Sequence, residues 1–302
     1  MSARTLVPGW PHADSPFHAG EQAVQARTGM RERMDGVGRR LVRDFMPDEH
    51  RELFEKLPYL FVGSEDGEGL VWASMLTGAP GFVHTPDALT LRIDAGRTLA
   101  PPLDTLHAGA KVGLLGIELS TRRRNRANGV VLEKHDKGFS MHVEQCFGNC
   151  PQYIHARDVD SDVFVPAELA REGTYLSAAS LALVERSDTF FIATTSGSGD
   201  GPSHGLDVSH RGGPAGFVGV ASSGGGTVLY WPDYRGNSMF CTLGNLELDP
   251  RAGLLFVDFA SHATLALTGR ATIHESAEGR YLRFEVSRGF LARVRGGVSG
   301  PM

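Results

Sequence analysis

Four blocks of this sequence recur in the same order and at a nearly constant offset, so whatever the first half folds into, the second half must fold into again. GAPGFV at Gly78 to Val83 returns as GPAGFV at Gly213 to Val218, 135 residues on. VGLLGIEL at Val112 to Leu119 returns as AGLLFVDF at Ala252 to Phe259, 140 residues on, and Asn128-Gly129 and Thr268-Gly269 follow at the same distance. Upstream, YLFVGS at Tyr59 to Ser64 matches FFIATT at Phe190 to Thr195, and each is followed by a turn rich in Gly, Asp or Glu. The repeat divides the chain into an N-terminal helical segment (1–54), a first copy (55–156), a linker (157–177) and a second copy (178–302).

Each copy reads as strands. LFVG, WASMLTG, LTLRI, VGLLGIEL and GVVLEK are short apolar or β-branched runs bounded by turns, and the second copy repeats the series through ATLALTGRATIHE. Short strands at such spacing predict a barrel or sandwich, mainly β with flanking helices. One amphipathic helix is expected over 20–45, a second after Pro47-Asp48, and a third over SMFCTLGNLELDPR, entered near Ser238 and stopped at Asp249-Pro250. A short helix is expected at Ala167 to Glu172.

Bulk properties exclude some functions. A formal net charge of -5 gives no pull toward nucleic acid or anionic membrane. No run of eighteen apolar residues offers a membrane span, and the N-terminus has no apolar signal region, so a cytoplasmic protein is expected. Cys146, Cys150 and Cys241 are too few for a disulfide framework and wrongly spaced for CxxC or zinc chemistry, and read as free thiols. The twelve histidines show no metal-binding pattern. Glycine is abundant, at 38 residues, which signals tight turns or backbone in close approach.

The segment richest in chemistry is SHGLDVSHRGG, Ser203 to Gly213. Alternation along a strand sets Asp207, Ser209 and Arg211 on one face and His204, Leu206, Val208 and His210 on the other. The first face suits an anion lying along the strand, with Arg211 as a charge-assisted fork. It equally suits a solvated face with a local Asp207–Arg211 pair. YWPDYRGNSMFCTLGN follows, in which a turn through Arg235, Asn237 and Ser238 enters a helix carrying Asn245. Free N–H groups at such a helix start hold phosphate readily, although the same residues also make an ordinary capped turn. In the first copy Arg122, Arg124 and Arg126 alternate on one strand face, either a charged, solvated edge or a surface aimed across an interface. Asn149, Gln152 and Tyr153 are polar groups that close that copy, placed either to line a substrate pocket or to pack a corner.

The run SHGLDVSHRGGPAGFV, with LYWPDYRGNSMFCTLGNLELDPRAGLLFVDF after it, resembles the pyridoxamine 5'-phosphate oxidase-like, FMN-binding split-barrel family. SPFHAGE, RDFMP, TRRRNRANG and FGNCPQYI are similar to the branch that precedes a ferredoxin-reductase-like and iron–sulfur part, for which these 302 residues offer no cysteine cluster. The resemblance implies two tandem FMN-binding split β-barrels, each six-stranded, with flavin at an interface between copies or between chains. By position, Asp207, Ser209, His210 and Arg211 would line the flavin strand, and Arg235, Asn237, Ser238 and Asn245 the phosphate turn and helix. Arg124, Arg126, Asn149, Gln152 and Tyr153 would shape a substrate pocket. WASMLTGAPG in the first copy lacks the charged residues of LDVSHRGGPAG, so one complete flavin site is expected, in the second copy. The implied function is FMN-dependent oxidation or reduction of a small molecule by a homodimer, with electrons from a nicotinamide or a separate reductase. The alternative is a non-catalytic flavin or haem binder, with His204, His210 and His262 as the candidate imidazoles.

Overall fold

The computed structural model describes residues 8–99, 103–159, 164 and 166–294. Three helices lead the chain: α1 (Ala19–Arg27), α2 (Arg31–Leu41) and α3 (Asp48–Lys56). The first barrel comprises β1 (Tyr59–Glu65), β2 (Val71–Thr77), β3 (Val83–His84), β4 (Thr90–Asp94), β5 (Arg97–Leu99), β6 (Lys111–Glu118), β7 (Arg123–His135) and β8 (Gly138–Gly148). Strand β9 (Pro166–Glu172) and helix α4 (Ala178–Arg186) follow, then β10 (Thr189–Thr195), β11 (Leu206–Gly212), β12 (Gly219–Ser223) and β13 (Gly226–Pro232). Helix α5 (Cys241–Leu248), β14 (Arg251–Val257), β15 (Thr264–Ser276) and β16 (Gly279–Val294) complete the second barrel.

The two sheets have the same wiring. The first runs β3-β4-β8-β7-β6-β1-β2 and the second β12-β13-β16-β15-β14-β10-β11, so each strand has a counterpart in the same place. Each adds one strand of its own: β5 beside β2, and β9 beside β16. The chain is therefore two split barrels, with seven equivalent strands apiece rather than six.

Strand registers refine the repeat. Phe61 opposes Leu115 and Phe191 opposes Leu255, so Phe61 corresponds to Phe191. That is one residue away from the block alignment that sets Tyr59 against Phe190, and on a strand one residue exchanges the faces. Phe61 and Phe191 stack on each other with ring centroids 3.5 Å apart, at the centre of an apolar cluster that also holds Met75, Leu115, Val208 and Leu255. This cluster joins the barrels, whereas two others fill their separate interiors. Full burial of each ring contributes about 1.5–3 kcal/mol. Close approach depends on two equivalent glycines: a Cβ on Gly113 would lie 2.4 Å from the Leu206 carbonyl, and one on Gly253 would lie 2.6 Å from Trp72 Cα.

Four local expectations need correction. The helix expected over 20–45 is two, broken where Gly29 takes φ +68°, a conformation that costs glycine least. Residues 167–172 form strand β9 and pair with β16, because a free sheet edge takes a strand more readily than solvent takes one short helix turn. The third helix begins at Cys241, since Ser238 and Phe240 both have positive φ and the chain at 237–240 coils before it can wind. Arg122 also leaves its expected strand: it has φ +60° in the turn before β7.

Candidate functional site

Strand β11 lies between β10 and the gap separating the barrels, and its alternation sorts its side chains as the pattern requires. Leu206 and Val208 enter the apolar cluster between the barrels, and His210 packs edge-on to Phe191, ring centroids 5.6 Å apart. Asp207, Ser209 and Arg211 face the other way. From the first barrel, Arg124 and Arg126 project from β7, an interior strand, so they form no solvated edge. Arg126 is 3% exposed and reaches across the interface, donating from Nη1 to Asp207 Oδ1 at 2.7 Å and from Nη2 to Ser209 Oγ.

Behind this pair sits a closed polar network. Asn245 donates through Nδ2 to Asp207 Oδ2 at 3.1 Å and to Thr194 Oγ1 at 3.0 Å. With its amide hydrogens thus directed, its Oδ1 accepts from His18 Nε2 at 2.8 Å. The other His18 nitrogen accepts from the Gly20 N–H, capping α1, while the His18 N–H donates to Glu21. The tautomer is thereby fixed as Nε2–H. Burial lowers the His18 pKa to about 4, keeping the ring neutral, and burial raises that of Glu21 to about 8, with Asp207 adding to the rise. Asp207 and Asn245 are thus engaged in tying α1, α5 and both barrels together.

In front of the pair opens a cavity of about 420 Å³, within the range of roughly 300–1,000 Å³ usual for small-molecule sites. It gathers Ser209, His210 and Arg211 from β11, Arg235, Asn237 and Ser238 from the turn, and Arg124, Arg126, Asn149, Gln152 and Tyr153 from the first barrel. Asp207 and Asn245 lie outside it, on its far wall's support. The start of α5, from Phe240 to Leu243, forms one side, and a helix N-terminus presents unpaired N–H groups and a positive dipole. Asn237 accepts from the Met239 N–H and so shapes the approach to that end. Tyr153 and Tyr234 stack at the mouth, centroids 5.2 Å apart, and Tyr153 Oη donates to the Arg235 carbonyl at 3.1 Å.

The cavity wall is rich in donors that lack acceptors. Arg124 Nε, Arg126 Nε, Arg211 Nε, Asn149 Nδ2 and both ring nitrogens of His210 are buried without a hydrogen-bond partner. Such groups are costly to leave unmet, so together they call for an anionic or acceptor-bearing ligand. Burial, then the charges of Arg126 and Arg211, lowers the Arg124 pKa to about 10. Burial likewise pushes His210 well below its ordinary value, and Arg124 and Arg211 add to the effect, so its imidazole is neutral.

Sequence reasoning missed several lining residues. Arg280 comes from β16 and is paired with Asp233 at 2.8 Å, and Cys150, Phe217 and Tyr234 complete the wall. Only the β13–β16 pairing brings Arg280 there, and no local pattern announces it. His18 and Glu21, which the structure shows as a capping box at the start of α1, stood in the sequence only within the SPFHAGE likeness and not as supports of a distant site. The corresponding groove of the first barrel, about 820 Å³, has Leu76 where the second has Arg211, and Ala292 where this one has Asn149. His204 and His262 stand away from the cavity, against His18 and Phe164. Among the described residues no group of three or more His, Cys, Asp or Glu side chains could hold a metal ion. No described helix is long and apolar enough to cross a membrane.

Comparison with known proteins follows the second barrel. Residues 176–294 match the family model for pyridoxamine 5'-phosphate oxidase. Among solved structures, HupZ from Group A Streptococcus is 12% identical, with 38% of this chain and 98% of that one covered and a TM-score of 0.29. A putative pyridoxamine 5'-phosphate oxidase from Lactobacillus delbrueckii is also 12% identical, covering 38% and 93%, with a TM-score of 0.28. A protein related to general stress protein 26 from Clostridium acetobutylicum is 16% identical, covering 38% and 86%, with a TM-score of 0.26. A search of curated proteins finds no match. The likeness rests on the family match: residues 176–294, the barrel that supplies β11, the arginine turn and α5, are similar to the pyridoxamine 5'-phosphate oxidase family.

Proposed function

We propose that the cavity between the barrels holds FMN and that the chain is a flavin-dependent oxidoreductase acting on a small molecule. The observation that carries this reading is the set of partnerless donors around a helix N-terminus, in a cavity walled by both barrels. A phosphomonoester offers the acceptors those donors lack. The start of α5, Arg211 and Arg235 would hold the phosphate, with Asn237 and Ser238 shaping the turn. The ring system would lie against β11 and the aromatic mouth of Tyr153, Tyr234 and Phe217. A bound flavin supplies two-electron chemistry, with a nicotinamide or a separate reductase as electron donor. Of the chain's own groups, Arg211 places positive charge beside the ligand, and neutral His210 offers one donor and one acceptor nitrogen. Tyr153 and Tyr234 keep bulk water from the mouth.

The test is spectroscopic. Purified protein is expected to carry the visible absorption of oxidised flavin, bleached by NADH or dithionite. Arg211→Ala is expected to weaken flavin retention by about ten- to a hundredfold, the range for one lost charge-assisted contact. Undiminished retention in that variant would overturn the assignment. His210 supports a second reading, since a neutral, partnerless imidazole in a cavity can ligate haem iron. A Soret band abolished by His210→Ala would establish it instead.

A further inference from the structure

Five guanidiniums line the cavity, from Arg124, Arg126, Arg211, Arg235 and Arg280, against one lining carboxylate, Asp233. Two are paired: Arg280 with Asp233 at 2.8 Å and Arg126 with Asp207 at 2.7 Å. Arg124, Arg211 and Arg235 have no carboxylate partner among the described residues. A phosphomonoester carries about 1.5–2 negative charges at neutral pH. Bound FMN therefore neutralises about two of the three and leaves about one positive charge over.

The position of that remainder follows from the architecture. Arg211 and Arg235 belong to the second barrel, with α5 and the turn. Arg124 belongs to β7 of the first, on the opposing wall. Its backbone carbonyl accepts from the Asn149 N–H at 3.1 Å, which holds the two residues side by side. Arg124 Nε and Asn149 Nδ2 are both buried and partnerless. Two adjacent, differently shaped donors on one wall make a fork for a pair of oxygens. Behind them Arg126, 3% exposed, and His210, 4% exposed, also keep partnerless nitrogens, so no protein acceptor is near enough to quench the site.

Resting on the flavin reading above, we propose that Arg124 and Asn149 form a second anion subsite that receives the carboxylate of the substrate, which is thus a small organic monoacid. Its single charge matches the one cation left over, whereas a second phosphate would exceed it. In the first barrel's own groove the equivalent positions are Thr264 and Ala292, so the subsite exists once per chain.

The experiment measures benzoate and FMN binding separately in the full chain, at constant ionic strength with chloride as control. Benzoate binding is read from its perturbation of the flavin spectrum and from thermal shift, and FMN binding from flavin fluorescence. In the unaltered protein, benzoate is expected to shift both signals and chloride neither. Arg124→Gln is expected to weaken benzoate about ten- to a hundredfold and FMN little, and Arg124→Lys to restore part of the loss. Arg211→Ala is expected to do the reverse, weakening FMN more than benzoate. Asn149→Asp, which sets a carboxylate beside Arg124, is expected to exclude benzoate without disturbing the fold. Absence of a benzoate response in the unaltered protein, or equal benzoate affinity in Arg124→Gln and Asn149→Asp, would overturn the subsite. Failure of FMN to bind any form would overturn the flavin reading, and is seen in a different signal.

Discussion

At the scale of single residues, the most consequential contact is Arg126 with Asp207, whose side chains are 4% and 11% exposed. Removing one partner from such a pair strands the other without solvent. Arg126→Met is expected to cost about 3–5 kcal/mol in chemical denaturation, and the double substitution with Asp207→Leu to recover much of that. Glu21 gives a second prediction. Its folded pKa of about 8 lies above the ordinary value of 4.5, so the folded state holds the proton more tightly than the unfolded chain. The associated stability is complete below about pH 4.5 and is lost as pH rises toward 8. Glu21→Gln is expected to flatten that decline in melting temperature across the same window. A parallel decline in both proteins would show that Glu21 is not its source. His18, lowered to about 4, acts oppositely: its contribution is present above about pH 6.5 and fades as pH falls toward 4. The partners of these residues were not legible in the sequence. SHGLDVSHRGG displays a polar face, yet nothing local says that Asp207 is consumed by an arginine 81 positions earlier. Arg211 and Arg235 do line one cavity, but the spacing of their segments left a solvated face and a capped turn equally open, and only the resemblance set the two together.

At the scale of elements, period-two alternation and turn residues recovered most strands of both barrels, because each half-buried strand writes its pairing face into its own sequence. The long hairpin arms β8 and β16 were not singled out. In β8, Phe139, Met141 and Val143 do alternate with Ser140, His142 and Glu144, so the period-two signal was present there and was passed over. The segment of β9 reads as a helix from sequence, since the composition of AELARE favours helix and only the open edge of β16 overrules it. The barrel contact itself depends on backbone proximity that only glycine permits. Gly253→Val would drive a side chain into the Trp72 backbone and is expected to destabilise the fold by about 1–3 kcal/mol or more, measured by urea denaturation. An equal change at solvent-facing Gly224, which meets nothing, supplies the control.

At the scale of the whole molecule, the duplicated wiring was the most legible feature and the geometry of its pairing the least. Repeated blocks reveal two copies, but only the register of Phe61 against Phe191 shows how the copies meet. Because both walls of the cavity lie in one chain, saturating FMN is expected to bind at one per chain whether the protein runs as a monomer or a homodimer. Flavin content measured against protein, alongside size-exclusion mass, checks this. A saturated ratio of one flavin per two chains would mean that the cavity within the single chain is not the flavin site.

The common strand order has a consequence for how such a protein can change. In a twofold-symmetric pair of identical chains, every substitution appears in both of the equivalent sites, so a residue useful in one site is imposed on the other. Joining the two barrels covalently removes that constraint. Leu76 can stand where Arg211 stands, and Thr264 where Arg124 stands, without either choice compromising the other. One groove that carries Arg211 and Arg124 beside another that carries Leu76 and Thr264 is a division of labour that a symmetric pair of identical subunits could not reach.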